Sequence, residues 1–216
     1  MKKLFCVLFS VLLTVSLCAC GGDSGDVRGQ ITTDPTDPPF SLGTTANNTY
    51  KNTYLGLSCT LPSDWVFYTD EQIRELNNFV GDMAGEEYQE LLKNATIIYD
   101  MYAATPDSLN SININLEKLN ALQIVSLDLK TVLESQFPTI KSSLENIGYT
   151  NVQMQYEKIT VDGKEYDGIT VTANFSGISF YETCFCFLKG QYLANVTIAC
   201  LQNNNIPSIL NQFSFS

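Results

Sequence analysis

Three glycine-bearing pairs divide the last third of the chain into segments of strand length. These pairs are Asp162-Gly163, Ser176-Gly177 and Lys189-Gly190. Such pairs between alternating or aromatic-rich runs predict tight hairpin turns, because their residues accept a positive φ. The strands they separate are predicted near residues 152–161, 164–175, 178–188 and 191–200. A chain with this pattern folds around an antiparallel meander.

Four earlier segments predict further strands. Residues 50–61 alternate between apolar and polar side chains, which is typical of a half-buried strand. Trp65 and its neighbours predict a short second strand. Residues 96–105 and 111–119 predict two more, joined by a turn-prone segment. With the meander, these segments give a sheet of about seven strands.

The helices are predicted from capping signals and from apolar spacing. Thr69 followed by Gln72 is a capping box that marks a helix start, and the helix is predicted to resume over residues 86–93. Residues 126–147 have apolar side chains three and four apart, and Pro138 should kink or split this longest helix. A last short helix is predicted after Asn205, with Phe213 on its buried side.

The order of these elements indicates the fold class. Helices lie both between and after the strands, and the meander carries apolar residues on both of its faces. A sheet with two apolar faces has to be covered on both sides. We therefore predict an α+β fold, an antiparallel β-sheet of about seven strands with helices on both faces.

The N-terminus predicts secretion and lipid anchoring. Lys2 and Lys3 precede an apolar run, Leu4 to Leu17, which has the length of a secretory signal and is too short to span a bilayer. The stretch that follows, LCAC, matches the bacterial lipobox, in which the cysteine after the cleavage site is acylated. Cys20 is the predicted lipidation site. The alternative is an ordinary secretion signal with incidental cysteines.

These signals divide the chain into three parts. Residues 1–19 are the predicted lipoprotein signal peptide, and residues 20–49 are the lipidated cysteine and a disordered tether rich in Gly, Asp, Thr, Pro and Asn. Residues 50–216 are predicted to form a single α+β domain. Acyl chains on Cys20 would hold the protein at the extracytoplasmic face of the cell membrane.

Charge and composition exclude several functions. The chain carries 12 basic and 23 acidic residues, and loss of Lys2 and Lys3 with the signal would leave a net charge of −13. Such an acidic protein is repelled by nucleic acid, which we exclude as a partner. The chain has no histidine, which excludes Ser-His-Asp and Cys-His catalysis and the commonest zinc sites.

Four cysteines would remain in the folded domain, Cys59, Cys184, Cys186 and Cys200. A two-residue turn at Lys189-Gly190 would place Cys184 opposite Asn195, and Cys200 on the other face of the sheet. Because these thiols do not converge, we predict that they are buried core side chains. The alternatives are a disulfide that involves Cys59, and a metal-binding or catalytic thiol.

One group of side chains could furnish a polar aromatic pocket: Tyr99, Asp100, Tyr102 and Tyr181. Tyrosine is also common at ordinary strand positions, so this grouping has a purely structural alternative. Adjacent acidic residues elsewhere do not form an acid–base pair. The sequence therefore predicts no catalytic residue, no metal site and no cofactor.

The segment YLGLSCTLPSDWVFYTDEQI resembles the start of small lipoproteins of Gram-positive bacteria with a PsbP/Mog1-like domain. The order of elements that follows is similar to that family over most of residues 50–216. The resemblance implies an α/β/α sandwich that serves as a non-enzymatic binding scaffold. The metal binding of the photosynthetic members does not carry over, because this chain lacks their histidines.

Three functions remain. The first is a membrane-anchored, non-catalytic module that binds a protein, a peptide or a wall component. The second is a solute- or ion-binding lipoprotein that serves a transporter. The third is a hydrolase that relies on Asp or Glu alone, for which two carboxylates with raised pKa values would have to meet in a concave site.

Overall fold

The structure is a computed structural model that describes residues 39–77 and 95–216. The strands in these ranges are β1 (Thr44–Ala46), β2 (Thr49–Asn52), β3 (Leu57–Thr60), β4 (Val66–Phe67), β5 (Ile97–Ala104), β6 (Asn110–Lys118), β7 (Tyr149–Val161), β8 (Lys164–Phe175), β9 (Ile178–Lys189), β10 (Tyr192–Leu201) and β11 (Phe213–Phe215). The helices are α1 (Asp70–Leu76), α2 (Ala121–Val125), α3 (Leu129–Ser135), α4 (Phe137–Asn146) and α5 (Ile206–Leu210).

The predicted fold class is confirmed. Seven strands form one antiparallel sheet in the order β4-β5-β6-β10-β9-β8-β7, and the meander β7 to β10 supplies four of them. In the first two hairpin turns, Asp162 and Gly163 have φ values of 49° and 73°, and Ser176 and Gly177 have 51° and 82°. A positive φ at both central residues matches the twist of the flanking strands, so these pairs turn as predicted.

The third turn lies one residue later than predicted. Lys189 stays in the ladder opposite Tyr192, so the turn residues are Gly190 and Gln191. The reason is that Gly190, with a φ of 56°, takes the first turn position, while Lys189 remains extended. Each residue of β9 therefore pairs with a residue of β10 two positions later than predicted, so that Cys184 lies opposite Thr197 and not Asn195. A shift of two leaves every side chain on its predicted face.

Both faces of the large sheet are covered, as predicted. On one face, which we call the helix face, α3 and α4 bury Leu133, Ile140 and Leu144 against the sheet. The other face carries a second sheet of four strands in the order β1-β2-β3-β11, together with α5. We call this the small-sheet face. Its core joins both sheets in one apolar cluster.

The prediction of a single strand over residues 50–61 was wrong. This segment forms β2 and β3, an antiparallel pair in which Asn52 lies opposite Leu57. Gly56, with a φ of 65°, reverses the chain between them. The alternation of apolar and polar side chains continues across this chain reversal because Leu55, Leu57 and Cys59 are all buried. The sequence pattern reports burial, and it does not show that the chain turned.

The helix boundaries agree with several predicted signals. Thr69 and Gln72 form the predicted capping box at the start of α1. Gln136 separates α3 from α4, and Pro138 lies in the first turn of α4, where its missing N–H costs nothing. Asn205 precedes α5, but its side chain makes no cap and instead donates to Asn110. Phe213, predicted on this last helix, begins β11.

Some predictions concern residues outside the described ranges. They are the signal peptide, the lipidation of Cys20, most of the tether, and the helix over residues 86–93. Within residues 39–77 and 95–216, no helix has the length and apolar character that a membrane crossing requires.

The domain includes residues that we assigned to the tether. Phe40 stacks on Tyr192 with 4.3 Å between ring centroids and meets Tyr54 edge-on, and strand β1 begins four residues later. We call residues 39–43 the strap. Residues 39–49 therefore belong to the fold, because one aromatic side chain and a short hairpin attach them to the core.

Candidate functional site

A cleft of about 420 Å³ lies between the strap, the start of α1 and the middle of β5. It is lined by Leu42, Gly43, Thr44, Thr45, Tyr68, Asp70, Ile73, Arg74, Asp100, Met101 and Tyr102. Its volume is within the range of pockets that hold small ligands. The lining combines buried apolar groups on the floor with polar and charged groups at the rim.

Asp100 forms part of the floor of the cleft. It lies at an irregularity of β5, where the pairing with β6 shifts between Tyr99 and Met101. Asp100 lies two residues after Ile98 and so shares the small-sheet face with it, and the shift puts Met101 on that face as well. There it accepts hydrogen bonds from Gly43 N at 2.7 Å, Tyr50 Oη at 2.6 Å and Asn52 Nδ2 at 2.7 Å.

Burial and hydrogen bonding act in opposite directions on this carboxyl group. Burial raises the pKa of Asp100 above its usual range, and the bonds from Tyr50, Asn52 and Gly43 partly offset the rise. Burial also raises the pKa of the Tyr50 hydroxyl, and the neighbouring Asp100 adds to that rise. Tyr50 is therefore a permanent donor at neutral pH, and Asp100 is a fully satisfied acceptor.

The same three donors attach the strap to the domain. Asn52 is oriented by the backbone N–H of Leu55, which donates to its Oδ1 at 2.9 Å, and its Nδ2 also donates to the carbonyl of Ser41 at 3.2 Å. A Cβ added to Gly43 would overlap the ring of Tyr50. Glycine therefore allows the strap to lie directly against the buried hydroxyl–carboxylate pair.

Helix α1 forms the opposite wall of the cleft. The side chain of Asn77 pairs with the backbone of Tyr99, donating to its carbonyl at 2.8 Å and accepting from its N–H at 2.7 Å. This pairing fixes the end of α1 against the edge of β5. Asp70 and Arg74, one helical turn apart, consequently face the strap across the cleft.

Of the four side chains that could furnish a polar aromatic pocket, the structure brings two together in the cleft. Asp100 and Tyr102 both line the cleft, and Tyr102 packs against Tyr68 with 4.4 Å between ring centroids. Tyr99 is held by Asn77 and does not line the cleft. Tyr181 lies on β9 opposite Cys200, and packs on the core of the small-sheet face.

No sequence signal identifies the other half of the site. Gly43 lies in a segment of tether-like composition, and Arg74 is one charged residue among several on a surface helix. The folding of the strap brings Gly43 to Asp100, and the packing of α1 on β5 brings Arg74 to the same cleft. The observation that could have located the strap is Phe40, a large aromatic residue in a segment otherwise poor in them.

A second buried polar group lies on the helix face. We call it the amide row; it comprises Asn113 and Asn115 on β6 and Asn195 and Thr197 on β10. Asn195 Nδ2 donates to Asn115 Oδ1 at 3.1 Å, and Asn115 Nδ2 donates to Asn113 Oδ1 at 3.4 Å. Asn195 Oδ1 and Thr197 Oγ1 accept no hydrogen bond from any described residue.

Glu182 lies near the amide row on the same face. It is paired with Ala199 on β10 and Val171 on β8, both apolar. Burial raises its pKa to about 8, so the side chain is mostly neutral at neutral pH. Glu182 is thus accommodated in the core as an uncharged carboxylic acid. The oxygens of Asp100, by contrast, accept hydrogen bonds from three donors.

The four cysteines of the domain are buried and unbonded, which confirms their predicted place in the core. Burial raises the pKa of Cys59 and Cys184 to about 12 and that of Cys200 to about 11. Such thiols are almost entirely protonated at neutral pH and react slowly. Among the described residues, no three His, Cys, Asp or Glu side chains are grouped as metal ligands would be.

Comparisons with known proteins give little further information. No protein-family model matches the chain, and no curated protein matches it significantly. A solved structure of LpqN, involved in cell envelope biogenesis of Mycobacterium tuberculosis, matches with a TM-score of 0.37 and 11% identity, over 72% of this chain and 76% of LpqN. A similarity this weak assigns neither a family nor a function. The resemblance to PsbP/Mog1-like lipoproteins is not confirmed and stays a prediction.

Proposed function

We propose that the protein is a lipid-anchored, extracytoplasmic binding module whose ligand occupies the cleft between the strap, α1 and β5. The cleft itself is the observation that supports this proposal. It is concave, has the volume of a ligand site, and combines an apolar floor with polar groups that no described residue uses, such as Arg74.

The location rests on the N-terminal sequence. A basic start, an apolar run and the stretch LCAC match a lipoprotein signal that ends at Cys20. Along the sequence, the strap lies between Cys20 and strand β1, and its residues Leu42 and Gly43 line the cleft. A PsbP/Mog1-like lipoprotein scaffold would have the same organisation, in which the domain presents a surface for binding rather than a catalytic centre.

The state of Asp100 supports binding over hydrolysis. A carboxylate-dependent hydrolase needs two carboxyl groups that both reach the substrate. Asp70 and Asp100 line the same cleft, but three protein donors already occupy the oxygens of Asp100. The cleft therefore favours a non-catalytic role, and a transporter-linked solute receptor is a variant of that role.

The anchor is tested by Cys20→Ser in the full chain expressed in a bacterial host. We expect the wild-type protein in the membrane fraction and labelled by a palmitate analogue, and the variant unlabelled. Cys18→Ser is the matched control and should leave both the labelling and the location unchanged. Wild-type protein free of the membrane would contradict the anchor.

Binding is tested with solubilised bacterial wall fragments added to the isotopically labelled protein. We expect amide resonances of cleft residues such as Thr45 and Tyr102 to shift, while those of the distant turn at Gly163 stay in place. Mass spectrometry of the recovered fragments should find them unaltered. Spectra that change neither with wall fragments nor with the peptides tested below would refute the binding function, and altered fragments would refute its non-catalytic character.

A further inference from the structure

The wall of the cleft formed by β1 is a sheet edge. Among residues 39–77 and 95–216, strand β1 is the outermost strand of the small sheet and pairs with β2 alone. Thr44 and Thr45 are exposed and line the cleft. An edge strand presents backbone N–H and C=O groups that can pair with another extended chain.

The register shows which backbone groups face the cleft. Ala46 and Thr49 flank the two-residue turn and form a hydrogen-bonded pair, so the next pair, Thr45 with Tyr50, is a non-hydrogen-bonded one. The N–H and C=O of Thr45 therefore point away from β2. Gly43, two residues earlier, points the same way, and its N–H reaches Asp100 in the cleft.

Thr45 is thus a donor and acceptor directed into the cleft. Its backbone N–H makes no hydrogen bond to any described residue. The spacing of N–H and C=O on one residue of an extended strand complements an extended peptide, which carries the same two groups at the same spacing. Sugars and simple ions lack this repeating pattern.

Arg74 adds an anion-binding group opposite this edge. It lines the cleft and forms no ion pair with a described carboxylate. Its guanidinium matches the geometry of a carboxylate and binds it through two parallel hydrogen bonds. Asp70, one turn earlier, offers a partner for an ammonium group. The strongly acidic chain disfavours polyanions, so a zwitterion is the better match.

We propose that the cleft binds a short, extended, zwitterionic peptide, which adds to the edge of β1 through Thr45 and places a carboxylate on Arg74. This inference rests on the proposed binding function and specifies its ligand class. The small sheet then gains a further strand, and the strap, held by Asp100, fixes the position of that strand.

The test uses an equimolar mixture of tetrapeptides with free termini, added at about 1 mM, where even millimolar affinities are detected. We expect shifts of the Thr45 amide and of the Arg74 side-chain Nε–H resonance. The same mixture with amidated C-termini should bind about tenfold more weakly, which corresponds to about 1.4 kcal/mol.

Two variants distinguish the contribution of the Thr45 backbone N–H to peptide affinity from that of the Thr45 side chain. Thr45→Pro removes the N–H that points into the cleft and keeps the Thr44 and Ala46 bonds to β2, so peptide affinity should fall about tenfold or more. Thr45→Val keeps the N–H and should bind within about twofold of wild type. If Thr45→Pro does not fold, backbone N-methylation of the tetrapeptides gives an independent measurement and should likewise weaken binding.

The outcomes distinguish this inference from the binding function itself. Wall fragments that shift the cleft resonances while no tetrapeptide does would overturn the peptide assignment and leave the binding function standing. Wild-type affinity in Thr45→Pro, or with the N-methylated peptides, would also overturn it. A response to chitotetraose alone would assign the cleft to a glycan.

Discussion

The two faces of the large sheet bury polar side chains in opposite ways. On the small-sheet face, Asp100 has three donors within 2.7 Å, all from β2 or the strap. On the helix face, Asn195 and Thr197 each have a buried oxygen without a donor from the described residues. Satisfied polar groups fix a unique arrangement, whereas unsatisfied ones cost about 1–3 kcal/mol each.

This difference shows what each region contributes. The Asp100 cluster joins a chain segment remote in sequence to the core and forms one wall of a cleft. The amide row links central strands through side chains that the fold tolerates at a cost. Truncation should therefore be strongly destabilising in the first region and nearly neutral in the second.

The largest effect of a single substitution is expected for Asp100→Ala. It leaves the Tyr50 hydroxyl and the Gly43 N–H without an acceptor and Asn52 Nδ2 with the Ser41 carbonyl alone, and should lower the free energy of unfolding by about 3–5 kcal/mol. Urea denaturation measures the change. Asp100→Asn, which keeps one acceptor oxygen, should lose clearly less. Since asparagine has nearly the same shape as aspartate, an Asp100→Asn variant as stable as wild type would show that the cluster acts through packing alone.

A pH dependence is expected from Glu182. Its pKa is about 8 in the folded protein against an ordinary value of 4.5. Between these values the folded state holds more protons than the unfolded state, so the free energy of unfolding falls as pH rises and levels off above about 8. At about 1.4 kcal/mol per pKa unit, the loss over the whole range is on the order of 5 kcal/mol.

Denaturation of wild type and Glu182→Gln across this pH range checks the assignment. Glutamine cannot ionise, so the variant should show a much shallower slope. The raised pKa of Asp100 contributes a remaining slope of the same sign. Parallel curves for the two proteins would locate the titrating group elsewhere.

Tyr50→Phe removes one donor from Asp100 and retains the ring. We expect a loss of about 1–3 kcal/mol in the free energy of unfolding, because a buried oxygen of Asp100 then lacks one of its donors. Tyr54→Phe is a matched control that loses a bond to the Lys189 carbonyl, and should cost less. A larger loss in the control would contradict a special role for Asp100.

The smallest effect is expected for Thr197→Val on the helix face. Valine keeps the shape of threonine and removes a buried hydroxyl oxygen that accepts no hydrogen bond from described residues. The free energy of unfolding should change by less than about 1 kcal/mol, or rise. Thermal and urea denaturation measure the change. A loss as large as that of Tyr50→Phe would show that buried polar side chains on the two faces contribute equally to stability.

Much of the large sheet was predictable from local sequence. Asp162-Gly163 and Ser176-Gly177 have side chains suited to positive φ, so turns and strands followed from short-range chemistry. The capping box at Thr69 and the helix break near Pro138 have the same local origin. The turn near Gly190 was misplaced by one residue because a single glycine fits either central position.

The small sheet and the cleft were not predictable in this way. Gly56 reverses the chain inside an alternating run, and Phe213 enters β11 after a helical pattern. Both outcomes depend on pairing with residues remote in sequence. Asp100 was noticed as a polar residue in an apolar strand, but its donors lie about fifty positions earlier, and only the tertiary fold brings them together.

Gly43 has an evolutionary consequence. Its surroundings in the sequence look like a linker, a type of segment in which substitutions usually accumulate freely. Any side chain there would displace the ring of Tyr50 from Asp100, so the position should be as invariant among orthologues as a core residue. An alignment that trims residues before Tyr50 as linker would discard the column most informative about this wall of the cleft.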